Sequence, residues 1–199
     1  MNVLVVSEGK HEQAGALETL LRRLGGDRAV FAFDRVSSSS IHAFHGKGSG
    51  YFKRAVRWLL EAKKRGFDAL VLLIDQDGER ERSRQIADAQ DTSLSPLPRA
   101  MGVAIRTFDA WMLADEMALT DVLGCPVNRR AEAETIRDPK EVCASLLTNG
   151  RNQMAQSEMY ARIACQLDVA VLVSRCPSGF RPFAERVRRV LGHEPRVEE

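Results

Sequence analysis

The stretch DALVLLIDQDG, residues 68 to 78, runs apolar from Ala69 to Ile74 and then places two carboxylates, Asp75 and Asp77, around a turn that ends in Gly78. An apolar run without polar alternation suits a strand buried on both faces of a parallel sheet. Upstream, LVVSEGKHE, residues 4 to 12, repeats the pattern: a Val- and Leu-rich strand over residues 2 to 7, then Glu8, Gly9, Lys10 and Glu12. Residues 29 to 35 read as a strand between these two, and GVAIRTF, residues 102 to 108, as a fourth. Helical spacing of Ala14, Leu17, Leu20, Leu21 and Leu24 predicts a helix from Lys10 to Leu24, closed by Gly25 and Gly26. Further helices are expected over 51 to 65 and 79 to 90. Beyond residue 108 the pattern is helical at 110 to 118, 139 to 148, 154 to 167 and 179 to 191, with VAVLV at 169 to 173 fitting either helix or strand. The alternation predicts an α/β domain over residues 1 to 118, a parallel central sheet flanked by helices, with a helical C-terminal extension over 119 to 199 packed on it.

A chain of 199 residues buries a core without staples. No window approaches the roughly 18 consecutive apolar residues of a membrane span, and Met1 leads straight into a strand, so a cytoplasmic protein without membrane association is expected. Cys125, Cys143, Cys165 and Cys176 form no CxxC pair and have no histidine at metal-ligand spacing, which predicts reduced thiols. A net charge of +2 is too small for binding nucleic acid through bulk charge, so such a partner must be met by local patches.

Ligands of parallel α/β sheets bind at the carboxyl ends of the strands. If the first and third strands are neighbours, Glu8 and Asp75 share one crevice. Asp77 reaches the same point through a tight turn at Gly78, and Glu12, one helical turn after Glu8, projects back toward it. Carboxylates gathered this way repel one another and raise their own pKa values unless a cation neutralises them. A hard ion, Mg²⁺ or Mn²⁺, fits such ligands. Turn chemistry and helix capping are the competing explanations for Asp75 and Asp77. Asp109, after the fourth strand, is either a further metal ligand or the cap of a helix starting at Ala110. Trp111, among Phe108, Met112 and Leu113, reads as core.

The loop HGKGSG, residues 45 to 50, is not a Walker loop, since Gly48 follows Lys47 where Ser or Thr is needed. It is a connector or an arm whose His45 and Lys47, with Lys53, contact a nucleic-acid backbone, for which Arg80 is a further candidate contact. His11, His42, His45 and His193 form no set. The last helix places Phe180, Phe183, Val187 and Val190 on one face and Arg181, Arg186, Arg188 and Arg189 largely elsewhere.

Glu8-Gly9 after strand one and Asp75-Gln76-Asp77-Gly78 after strand three resemble the two signature motifs of the Toprim domain, a Rossmann-like fold shared by topoisomerases, bacterial primases and the overcoming-lysogenization-defect nucleases. EGKHE most resembles the nuclease branch and the small stand-alone bacterial Toprim-like proteins often found near an ATPase. FDAWMLAD, residues 108 to 115, and RCPSGFRPF, residues 175 to 183, are similar to segments of that stand-alone group. The resemblance implies a Mg²⁺-dependent nuclease acting on DNA or RNA, with a separate ATPase subunit as possible partner, in defence or DNA processing. It implies Glu8 as metal ligand or general acid/base, Asp75 and Asp77 as holders of the ion, and Glu12 as an additional ligand. Lys10 and Lys47 are the candidates for stabilising charge in the transition state.

Three rivals compete. IDQDG also resembles the nucleophile motif of haloacid-dehalogenase-type phosphatases, but there it lies on the first strand, usually with threonine after the glycine. Here Glu79 follows and Glu8 would be unexplained. A calcium loop of EF-hand type lacks its third ligand. A metal-binding module that is non-catalytic, or that a partner activates, is the remaining alternative.

Overall fold

The computed structural model describes residues 1–9, 11–37 and 50–192. Its centre is a four-stranded sheet made of β1 (Asn2–Ser7), β2 (Val30–Arg35), β3 (Ala69–Asp75) and β4 (Arg99–Ala104). All pairings are parallel and the strand order is β2-β1-β3-β4. Strands β1 and β3 are therefore neighbours, with Ser7 opposite Leu73. The chain leaves β1 toward β2 on one side and later returns to β3 on the other, so the β1/β3 boundary is the topological switch point, where α/β sheets open a crevice.

Alternation along the strands divides two cores. Val3 and Val5 of β1 and Val71 and Leu73 of β3 face one cluster; Leu4 and Val6, with Leu70, Leu72 and Ile74, face the other. The second cluster is closed by α2 (Tyr51–Lys64), through Val56, Trp58 and Leu59, and by α3 (Arg80–Asp91), through Ile86 and Ala89. The first is covered by α1 (Leu17–Leu21), α4 (Phe108–Met112), α5 (Glu116–Leu123), α7 (Gln156–Gln166), α8 (Val169–Arg175) and α9 (Phe180–Leu191), with α6 (Pro139–Asn149) against α4. Trp111 lies at the middle of that layer, fully buried against Phe108, Phe180 and Phe183. Among the described residues no helix is long and apolar enough to cross a membrane.

Several elements depart from the pattern expected of the sequence. The helix expected from Lys10 to Leu24 is regular only in α1; wider turns at Glu12–Ala16 and Arg22–Gly26 flank it, because Ala14, Gly15 and Gly25 leave helical angles. The fourth strand is Arg99–Ala104 rather than 102 to 108. After Ala104 the chain turns out of the sheet at Arg106, whose φ is 64°, and Phe108 already starts α4. The single helix expected over 110 to 118 is two, α4 and α5. They are separated at Asp115, whose carboxylate accepts the N–H groups of Met117 and Ala118 and so begins α5. VAVLV is helical, started by Asp168 accepting from Ala170. The four cysteines are free; Cys143 and Cys176 are buried and Cys165 is exposed.

Candidate metal centre

Glu8 follows β1, Asp75 ends β3, and Asp77 lies in the turn before α3. The turn is left-handed at both Asp77 (φ 48°) and Gly78 (φ 80°), which swings the Asp77 carboxylate back toward the strand end. One carboxylate oxygen from each of Glu8, Asp75 and Asp77 lies within 4.8 Å of the other two. Three of the five carboxylates singled out in sequence, Glu8, Asp75 and Asp77, thus converge at the switch point.

Each carboxylate is held in place. Glu8 Oε2 accepts the backbone N–H of Asp75 at 2.9 Å and Oε1 accepts the Tyr51 hydroxyl at 2.9 Å, which ties the end of β1 to β3 and to α2. Asp75 Oδ1 accepts the Phe108 N–H at 2.8 Å, fastening α4 to the same point. Arg82 of α3 donates to the Asp75 carbonyl (2.9 Å) and to Asp77 Oδ2 (3.0 Å), pairs with Glu79 and stands 3.9 Å from Glu8 Oε2. Its guanidinium lies 4.6 Å from the centre of the Tyr51 ring. Lys140 of α6 places Nζ 3.8 Å from Asp75 Oδ2 and 3.9 Å from Asp77 Oδ1.

Burial pushes the Asp75 carboxyl up to about 7; the Phe108 N–H and Lys140 pull against this, while Asp77 and Glu8 push further. Burial beside Glu8 moves the Tyr51 hydroxyl up to about 12, so it remains a donor to Glu8. Glu12 lies outside the group of three. It is buried, its Oε2 has no hydrogen-bond partner among the described residues, and a Cβ on Gly9 would come within 2.5 Å of its Oε1. Burial first, then the neighbouring Asp75, raises its carboxyl to about 8, with Ser7 and the Gly9 backbone offsetting this in part.

Asp109 also stands apart from the three, and it does not cap its helix, which starts one residue earlier at Phe108. Its Oδ1 accepts the Tyr160 hydroxyl and, at 3.4 Å, Gln156 Nε2. It lines, with His11, Glu12, Asp75, Lys140 and Tyr160, a cleft of about 600 Å³ opening beside the carboxylates. Lys53 and Arg80 are exposed. Lys10 and Lys47 lie outside the described residues, as do His42, His45 and His193. Among the described residues, Arg82 and Lys140 are cationic side chains beside the carboxylates, and neither was singled out in sequence. Arg82 was legible in principle, one turn into a helix that starts beside the acidic pair; Lys140 carries no local signal.

In the metal-free protein these shifts have a consequence for stability. An unfolded chain releases the protons of Glu12 and Asp75 near 4.5 and 3.8, the folded chain only near 8 and 7. Between those values the folded state binds more protons, so stability falls as pH rises through this window. A chelator-treated sample is expected to lose on the order of 2–4 kcal/mol between about pH 5 and about pH 8.5, and Glu12→Gln to remove a large part of that slope. Denaturant melts across this range check it; a flat profile contradicts the assignment.

No curated protein and no solved structure matches the chain. The model of a domain of unknown function, DUF4276, matches residues 7–188, a span that takes in Glu8, Asp75, Asp77, Arg82 and Lys140. By that match the chain belongs to the DUF4276 family.

Proposed function

We propose that this protein is a nuclease of Toprim type, hydrolysing phosphodiester bonds of DNA or RNA with Mg²⁺ or Mn²⁺, in concert with a separate ATPase subunit. The observation that carries the reading is the convergence of three carboxylates from the ends of two adjacent parallel strands within 4.8 Å. The donor set is all oxygen; burial raises the Asp75 carboxyl, and Asp77 and Glu8 add to that rise, a cost that a hard divalent cation would offset. Glu8, Asp75 and Asp77 would hold it. When bound, such an ion supplies Lewis acidity toward a phosphate oxygen. The side chains do the rest. Glu8 Oε1, oriented by the Tyr51 hydroxyl, accepts the proton of the attacking water. Lys140, half exposed at the cleft, and Arg82 supply positive charge where the phosphate becomes more negative.

A second reading, a metal-binding module switched on by a partner, is favoured by one feature: the carboxylates already face Arg82 and Lys140, which partly neutralise them. Calorimetric titration with Mg²⁺ and Mn²⁺, paired with cleavage assays on labelled DNA and RNA, separates the two. The nuclease reading expects metal binding and metal-dependent cleavage by the wild type, both lost in Asp75→Ala with Asp77→Ala. Binding without cleavage of any substrate supports the module. No metal binding at all overturns both.

A further inference from the structure

Beside the three carboxylates lies a smaller pocket of about 290 Å³ with a different character. Arg106, Arg137 and Lys140 line it, together with Asp77, Thr107 and Asp138. Asp77 belongs to the carboxylate group, and Lys140 reaches both Asp75 and Asp77, so the pocket adjoins the metal centre directly.

Its charge is available to a ligand. Among the described residues neither Arg106 nor Arg137 makes an ion pair or a side-chain hydrogen bond, in contrast to Arg82. Neither acid is paired with Arg106 or Arg137. Asp138 Oδ1 accepts the Glu141 N–H at the start of α6, and Asp77 Oδ2 is taken by Arg82 at 3.0 Å. Thr107 is buried, and its hydroxyl has no partner among the described residues. The backbone adds an independent observation. Asp77 and Arg106 are the non-glycine residues with positive φ among those described, and both line this pocket, joined by the Asp77 N–H donating to the Arg106 carbonyl at 2.9 Å. Such strain gathers where a side chain must be placed for a ligand.

We infer that this pocket binds a phosphate of a nucleic-acid strand, the one next to the phosphate at the metal centre, and that Arg106 and Arg137 are the contacts that position it; the identity of the strand rests on the nuclease reading. A guanidinium presents donors in a planar fork that matches phosphate oxygens. Phosphates recur at short intervals along a strand, so one bound to an ion at Asp75 and Asp77 would bring its neighbour alongside. Free inorganic phosphate shares the chemistry and is distinguished by the experiment.

The test is binding of labelled oligodeoxythymidylate and oligouridylate at a series of salt concentrations, with Ca²⁺ in place of Mg²⁺ to fill the centre and the oligonucleotide checked to be intact after each measurement. Arg106→Gln with Arg137→Gln is expected to weaken binding about tenfold or more. The plot of log affinity against log salt should become shallower by about 0.7, the share of one single-strand phosphate. Lysine at both positions should keep the slope. Unchanged affinity and slope in the glutamine variant overturn the inference. So does a variant that loses calorimetric binding of inorganic phosphate while keeping the oligonucleotide, since the pocket then serves a free anion. Metal titration and thermal melts confirm that the centre and fold persist; should the double variant not fold, Arg137→Gln, at an exposed residue, carries the same test. Arginine-dependent binding without any Mg²⁺-dependent cleavage by the wild type overturns the nuclease reading alone. Cleavage with arginine-independent binding overturns the pocket alone.

Discussion

Glu8→Gln is expected to lower metal-dependent cleavage by at least about a thousandfold, the largest effect of any single replacement outside the Asp75 and Asp77 pair. The size follows from three tasks that one carboxylate performs. It contributes an anionic oxygen to the group that would hold the ion. It takes the Tyr51 hydroxyl on Oε1, which fixes its orientation, and the Asp75 N–H on Oε2, which keeps the two strand ends in register. An amide is nearly isosteric but offers one accepting oxygen where two donors must be met, and it carries no charge. Calorimetry should show weaker Mg²⁺ binding alongside the loss of rate. Tyr51→Phe separates orientation from ligation: it leaves the carboxylate in place and is expected to cost only about tenfold. If Glu8→Gln retains cleavage within about tenfold of wild type, Glu8 is not the base and the proposed mechanism fails.

Trp111→Ala is expected to destabilise the fold by about 3–5 kcal/mol, the range for removing a fully buried large aromatic. The indole is 0% exposed; its ring centre lies 5.0 Å from that of Phe180 and 5.6 Å from those of Phe108 and Phe183. These come from α4 and α9, so the void would open between two helices that cannot both collapse into it. A fall in melting temperature on the order of 10 °C is the readout. Trp111→Phe should cost much less, because it keeps an aromatic at the site and removes an indole N–H that has no partner among the described residues. The effect reaches the metal centre as well: α4 carries Phe108, whose N–H holds Asp75. A loss under about 1 kcal/mol for Trp111→Ala would mean the layer repacks and that Trp111 is not its keystone.

Local chemistry fixed a good deal of this molecule. Buried parallel strands announce themselves as unbroken Val, Leu and Ile runs, and β1 and β3 were placed within a residue for that reason; β2, VFAFDR, is only partly buried and was read from its β-branched and aromatic residues. The carboxylates could be read because they sit directly on the ends of those runs, where the only open question was whether β1 and β3 are neighbours. Trp111 read as core from its neighbours alone, and the terminal helix from its stripe of Phe180, Phe183 and Val187.

Other features depend on groups that meet only after folding. β4 ended early because the segment at Arg106 turns left-handed to accept the Asp77 N–H, a constraint from the adjacent strand that leaves no trace in GVAIRTF itself. Asp109 does not cap its helix, and its Oδ1 accepts instead from Tyr160 and Gln156 of α7. Both tyrosines of the chain, Tyr51 and Tyr160, donate to acidic groups at this end of the sheet, and neither stands near its acceptor in sequence. Arg137 and Lys140, three residues apart, likewise meet Arg106 and Asp77 only through the fold, each about 30 residues or more away along the chain. Short-range pattern was enough to mark Glu8, Asp75 and Asp77 as carboxylates at strand ends, because strand ends and turns are local events, but not to separate them from Glu12 and Asp109. Which cations face those residues, and where a second phosphate could sit, was decided by tertiary structure, because charge pairing is set by distances through space that spacing along the chain does not encode.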